Sequence, residues 1–228
     1  MKRAVVNYAV GAWYPRGQAR LRASMVVANC AVEFIGFTDN RNFGSPTHQQ
    51  VPYAFKTYAL MYCLNKGYDQ AIYADASIWA VKTWKPIWDL IDSQGYYFEE
   101  AGHVAGTWTK DSVLAKFGIT RDQAMKIPVY SAGFTGLNFH NPKAVEFLKR
   151  WHGYANDGDS FKGTWGNENG QMSKDPRCKG HRHDLSVASL LAWQMDMKLG
   201  KGGDFLAYIG PGYLKPRDTV VAYLHPCK

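Results

Sequence analysis

The chain opens on AVVNYAV (residues 4–10), a mostly apolar, β-rich run of the length of a strand covered on both faces. A turn with Pro15 and Gly17 follows, and then QARLRASMVVAN (18–29) sets Leu21, Met25 and Ala28 at helical spacing. AVEFIGF (31–37) predicts a second strand, and the polar stretch DNRNFGSPTHQQ after it is long enough to carry function. YAFKTYALMYCL (53–64) predicts a helix started near Pro52 and ended by Gly67, and QAIYAD (70–75) a third strand. KPIWDLIDSQG gives a short helix stopped at Gly95, before YYFEE as a fourth strand. Strands alternating with helices predict an α/β fold, a Rossmann-like and mainly parallel central sheet flanked by helices.

The second half changes character. Two short helices (110–117 and 121–126) precede VYSAGFTGLNF, two strand-like pieces around Gly133 and Gly136. NPKAVEFLKRWHGYA reads as a helix capped by Asn141 with Pro142 at its first position. The polar, Gly- and Trp-bearing stretch 156–180 has few core residues and is a candidate lid or acceptor loop. The helix HDLSVASLLAWQM follows, and FLAYIG and TVVAYL close the chain as mixed strands. With no internal repeat and no low-complexity linker, residues 1–228 read as a single domain with halves meeting near residue 100.

At 228 residues and 46% apolar, the composition excludes a disordered chain and a disulfide-stapled miniprotein. No apolar run reaches the ~18 residues of a membrane span. The basic tip before the first strand does not resemble a signal peptide, which points to a cytoplasmic protein. Cys30, Cys63, Cys178 and Cys227 show no repeated spacing and read as free thiols. The net charge of +8 favours anionic partners such as nucleotides, phosphorylated substrates or nucleic acid. Eight Trp and fourteen Tyr supply faces that either stack on sugars and bases or fill a bulky core.

Chemistry gathers at two places. Asp75 ends an apolar strand, where open α/β sheets collect ligands; it either holds a divalent cation with Ser77 or caps the next turn. The cluster DPRCKGHRHD (175–184) packs Cys178, His181, His183 and Asp184 before a helix that Asp184 would cap. A rival reading makes Cys178, His181 and His183, with His225 or Cys227, a zinc site, although C-x-x-H-x-H matches no common finger. Lys56 is either a cation near the cleft or a solvated lysine on an outer helix face. Asn7 and Tyr8, at the end of the first strand, either read a nucleotide or are plain strand residues.

Four segments resemble the GT-A type of nucleotide-sugar glycosyltransferase. D-A-S at Asp75 to Ser77 resembles its degenerate metal motif, and P-Y-A-F-K-x-Y before it resembles the segment that sets a lysine near the nucleotide. S-A-G-F-T-G-L-N resembles the strand lining the donor sugar, and H-R-H-D-L-S-V-A-S the D-Q-S helix start of several retaining families. Together they are also similar to small viral, phage and bacterial glycosyltransferases. The resemblance implies a GT-A-like domain whose first half binds the nucleotide and whose second half holds donor sugar and acceptor. It implies hexosyl or pentosyl transfer from a nucleoside-diphosphate sugar, UDP favoured, to a glycan or other hydroxyl. Mn2+ or Mg2+ would sit on Asp75 and Ser77. Lys56 and Arg20 or Arg22 would neutralise the diphosphate, Asn7 and Tyr8 would meet the nucleotide, and Ser131, Gly133 and Asn138 would line the donor sugar. Asp184 would act at the reacting carbon, with His183 in the manganese shell or against the diphosphate.

Two other functions compete: a nucleic-acid-binding or DNA-modifying sugar transferase, against which the basic residues are dispersed, and a zinc metallohydrolase built on His181, His183 and Asp184. Glu99, Glu100 and His103 read as surface groups before they read as a base. Trp79, Trp108 and Trp165 read as core before they read as sugar platforms.

Overall fold

The computed structural model describes residues 1–210 and 215–224. The chain runs through β1 (Arg3–Tyr8), α1 (Tyr14–Val27), β2 (Glu33–Phe37), α2 (Phe55–Asn65), β3 (Gln70–Ala74), β4 (Ile78–Ala80) and α3 (Lys85–Gln94). It continues with β5 (Tyr96–Tyr97), β6 (Glu100–Val104), α4 (Asp111–Phe117), α5 (Arg121–Ala124), β7 (Pro128–Tyr130), β8 (Phe134–Asn138) and α6 (Pro142–Ala155). It ends with α7 (His183–Gln194), β9 (Leu206–Tyr208) and β10 (Ala222–Leu224).

The central sheet has the order β2-β1-β3-β8-β5. β1 pairs in parallel with β2 and β3, and β8 runs antiparallel to both β3 and β5. A smaller sheet, β4-β10-β9, and the pair β6-β7 stand beside it. From β1 the chain steps to β2 on one side and returns to β3 on the other. That reversal creates a crevice at the carboxyl ends of β1 and β3, where ligands bind in open α/β sheets.

Alternation along the strands sorts the two faces. Ala4, Val6 and Tyr8 of β1 and Ala71 and Tyr73 of β3 pack with Leu60, Phe147, Trp151 and Leu191 from α2, α6 and α7. Val5, Ile72 and Ala74 face Leu21 and Met25 of α1 and Ile87, Trp88 and Ile91 of α3. Each fully buried Leu, Ile or Phe contributes about 1.5–3 kcal/mol. Asp75, two residues beyond Tyr73, inherits the α2 and α7 face.

Three expectations change. Helix α1 begins at Tyr14, so Pro15 and Gly17 lie inside it; a proline in the first turn loses no hydrogen bond, because that N–H has no intrahelical acceptor. YYFEE does not form one strand. β5 joins the central sheet, then Gly200 N–H donates to Phe98 O and Glu100 N–H to Gly200 O, which draws the chain out of that sheet toward β6. Glu99 is not a surface carboxylate. It is buried and accepts from the Tyr97 hydroxyl and the backbone N–H groups of Gly203, Phe205 and Leu206, tying the last segment to the sheet.

The helix cap at Asn141 is as the sequence predicts: its Oδ1 accepts from Ala144 N–H at 3.1 Å. Gly95, at φ +89°, ends α3 against that same side chain, so a β-carbon there would strike Asn141. Cys30, Cys63 and Cys178 are free thiols, and Cys227 lies outside the described residues. Among the described residues no helix is long and apolar enough to cross a membrane.

Candidate active site

Three charged side chains from three elements meet at the carboxyl end of β3. Lys56 projects from the first turn of α2, Asp75 follows the last residue of β3, and Asp184 lies in the first turn of α7. The Lys56 ammonium is 3.3 Å from Asp75 Oδ2, 3.0 Å from Asp184 Oδ2 and 3.1 Å from the Ala132 carbonyl. It donates hydrogen bonds to Asp75 and Ala132 and forms an ion pair with Asp184, whose Oδ2 is buried without a hydrogen-bond partner. The Tyr53 and Tyr73 rings flank the ammonium with centroids at 5.0 and 5.7 Å, and Tyr73 donates its hydroxyl to Asp75 Oδ1 at 3.1 Å.

Burial differs sharply across the trio. Lys56 and Asp184 are each 4% exposed in the side chain, whereas Asp75 is 31% exposed and opens to the crevice. Burial pushes the Asp184 carboxyl up to about 6, against the pull of Lys56 and with the push of Asp75. Burial acts to lower the Lys56 ammonium, but Asp184 and Asp75 outweigh it and hold it above the usual lysine range. Burial lifts the Tyr53 phenol to about 12, with Asp184 adding to it.

Asp184 therefore does not cap α7. Arg182 occupies the cap position without a side-chain cap bond, and the Asp184 carboxylate turns inward to Lys56. Lys56 is correspondingly not a solvated surface lysine, because the α2 face that carries it packs on the sheet.

The remaining candidates divide by position. Gly133 touches the trio: a β-carbon there would come within 2.8 Å of Asp75 Oδ2, so the absence of a side chain admits the carboxylate. Ser131, two residues earlier, lines a cavity of about 460 Å³ together with Glu100, Gly102, Tyr208, Lys215 and Arg217. Tyr8 ends β1 with its ring against Phe43 and Phe55 at 5.3 and 4.8 Å. Asn7 is fully buried; its amide donates to Ala74 O at 2.6 Å and accepts from Gln18, bracing β1 against β3.

Arg20 lies on α1, which packs on the opposite face of the sheet. It donates to the Ser77 carbonyl at 3.1 Å with its guanidinium 4.3 Å from the Trp79 ring centroid, so it shapes the turn after Asp75. Arg22 points to solvent. Asn138 pairs with Gln70 at the far end of β3, about 16 Å along the strand from Asp75 at the usual rise per residue. It accepts from His140 N–H in a turn there, which separates it from the crevice.

Among the described residues the histidines do not form a zinc site. His181 Nε2 meets the Ser160 carbonyl, His183 Nδ1 meets the Phe161 carbonyl, and Cys178 Sγ points to the carbonyls of Thr109 and Gly180. Burial lowers His181 to about 3 and His183 to about 4, so both are neutral at pH 7. His225 and Cys227 lie outside the described residues. Among the described residues the metallohydrolase geometry is absent, since these polar atoms diverge onto backbone.

A divalent cation fits the crevice poorly. Both Asp75 oxygens have protein partners, and Ser77 enters the local network through its backbone carbonyl. Among the described residues no group of three His, Cys, Asp or Glu side chains is placed to hold a metal ion. A cation bound at Asp75 would lie about 4 Å from the Lys56 ammonium, where repulsion amounts to about 4 kcal/mol per unit charge at an effective dielectric constant near 20.

Sequence reasoning missed Tyr53 and Tyr73 as the walls around Lys56. Spacing carried the signal: Tyr73 lies two residues before Asp75 on a strand, and Tyr53 three before Lys56 at a helix start. Tyr53 (φ +60°) and His183 (φ +49°) both hold a left-handed backbone that is costly for aromatic residues, and their rings lie 5.6 Å apart. Nearby, Arg182 is sandwiched between Trp108 and Trp165 at 4.0 and 3.8 Å from their centroids. Trp165 is half-exposed rather than core.

No protein-family model matches the chain, and no curated protein matches it by sequence. Among solved structures it is similar to mouse xyloside xylosyltransferase 1 in its apo form, with a TM-score of 0.54 over 100% of this chain and 98% of that one. Sequence identity across that match is 9%, so the likeness is one of fold. The chain has a GT-A-like glycosyltransferase fold: a single α/β domain with a central mixed sheet flanked by helices.

Proposed function

We propose that this protein is a glycosyltransferase that moves a sugar from a nucleoside-diphosphate sugar, UDP favoured, to a hydroxyl of a glycan or other acceptor. The observation that carries this reading is the Lys56, Asp75 and Asp184 cluster at the crevice end of β3, in a fold shared with a xylosyltransferase. The cavity lined by Ser131, one residue before the Ala132 carbonyl that Lys56 binds, supports it. Its volume suits a small polar ligand, and Lys215 supplies positive charge on its wall for a diphosphate, beside Arg217, which is paired with Asp204.

In this reading the open carboxylate of Asp75 accepts a hydroxyl of the donor, and Gly133 leaves the space in which it does so. Lys56 and Asp184 fix Asp75 from behind, which makes Asp184 a positioning residue. Transfer breaks the bond from the anomeric carbon to the diphosphate, which departs with the electron pair, while the acceptor oxygen bonds to that carbon and releases its proton. His183 lies beside Tyr53, but burial that lowers it to about 4 makes it a weak proton acceptor, so the proton leaves to solvent.

Thermal unfolding with UDP, GDP, CDP and dTDP tests the reading, because a ligand that binds the native state raises its midpoint. One nucleotide is expected to stabilise the protein, and its sugar conjugate to be cleaved by wild type and not by Asp75→Asn. Failure of all four to shift the midpoint would overturn it.

A further inference from the structure

We infer that the cation of this site is the Lys56 ammonium and that the protein binds its ligand without a divalent metal. The inference rests on geometry. A metal bridging two carboxylates would need the space between them. Here that space holds a lysine nitrogen at 3.3 and 3.0 Å from Asp75 and Asp184, which also donates to the Ala132 carbonyl. The lysine cannot leave cheaply: it is 3% exposed, and tyrosine rings lie on two sides. Removing it would leave Asp184 charged and buried with no counter-ion.

The motif supports the same conclusion. Where a second carboxylate would complete a metal pair, the chain has Ser77, and Arg20 from the opposite face holds the backbone carbonyls of Ala76 and Ser77. That brings a second fixed positive charge against the turn that would have to embrace the ion. As a ligand-binding claim, the inference rests on the transferase reading; as a statement about metal affinity, it stands alone.

The test is manganese binding read by electron paramagnetic resonance of free Mn2+, with and without UDP, on wild type, Asp75→Asn and Lys56→Ala. Wild type is expected to leave the free Mn2+ signal unchanged in both conditions. Lys56→Ala, which exposes two carboxylates to one another, is expected to take up about one ion per chain and to gain thermal stability from it. Uptake of one Mn2+ by wild type that Asp75→Asn abolishes would overturn the inference. Should Lys56→Ala fail to fold, wild type and Asp75→Asn decide the matter by themselves.

Nucleotide affinity supplies a second readout. UDP is expected to bind with EDTA within roughly twofold of its affinity with Mn2+, and a weakening of tenfold or more on chelation would overturn the inference. If no nucleotide binds under either condition, the transferase reading fails, and the manganese titration still decides whether Lys56 has replaced the metal.

Discussion

Lys56 and Asp184 meet at 3.0 Å, each almost wholly buried, although one comes from the helix after the second strand and the other from the last helix of the chain. The contact joins the two halves of the domain at the crevice. It also leaves Asp75 as the one member of the trio with an open face, since Asp75 shares the same ammonium from the solvent side.

The pair makes stability depend on pH in a defined direction. Asp184 has its native pKa raised to about 6, above an unfolded value near 3.9, so the native state binds its proton more tightly. Its favourable contribution is fully present below about pH 4 and is lost as pH rises through about 6. Denaturant unfolding of wild type and Asp184→Asn across this window is expected to show wild type losing ground to the variant as pH rises. A gap that stays constant with pH would contradict the assignment.

Gly133→Ala probes the open face of Asp75. The backbone there is not left-handed, so the effect of the added methyl is its approach to Asp75 Oδ2 at 2.8 Å. The carboxylate must shift, and turnover of the identified donor is expected to fall about tenfold, equivalent to about 1.4 kcal/mol in the barrier. The unfolding free energy should change by less than about 1 kcal/mol. Full activity in this variant would remove Asp75 from the reaction.

The loop 156–180 looks like a lid in sequence, yet it has an interior. Phe161, Ser160, Ser173 and Cys178 are buried. Asn167 accepts from the N–H groups of Met172 and Ser173 and donates to the carbonyls of Ser173 and Cys178, and Lys110 binds Asp159 at 2.6 Å. Amide exchange at Met172 and Ser173 is therefore expected to be slow before any ligand is added. Rapid exchange that slows only with donor nucleotide would restore the lid.

Much of the architecture was legible because periodicity is local. The strand β3 (Gln70–Ala74) needed only its apolar run after Gly67, and Asn141 with Pro142 marked α6 because capping is satisfied within four residues. The break of YYFEE into β5 and β6 was not legible, since it depends on Gly200, a residue in the last third of the chain.

The site divides in the same way. Asp75 at the end of a buried strand, Lys56 upstream and Asp184 at a helix start were all visible as residue types at suggestive places. Their roles were not. Asp184 reads as a helix cap until α7 packs against α2, and Asn138 reads as a sugar contact until β8 runs antiparallel to β3 and carries it to the opposite edge. By itself the sequence determined which residues carry charge and which segments become strands or helices, because those follow from side-chain chemistry and short-range spacing. Only the tertiary structure decided that one ammonium would lie between two carboxylates, because burial, strand direction and the meeting of distant helices are properties of the packed chain.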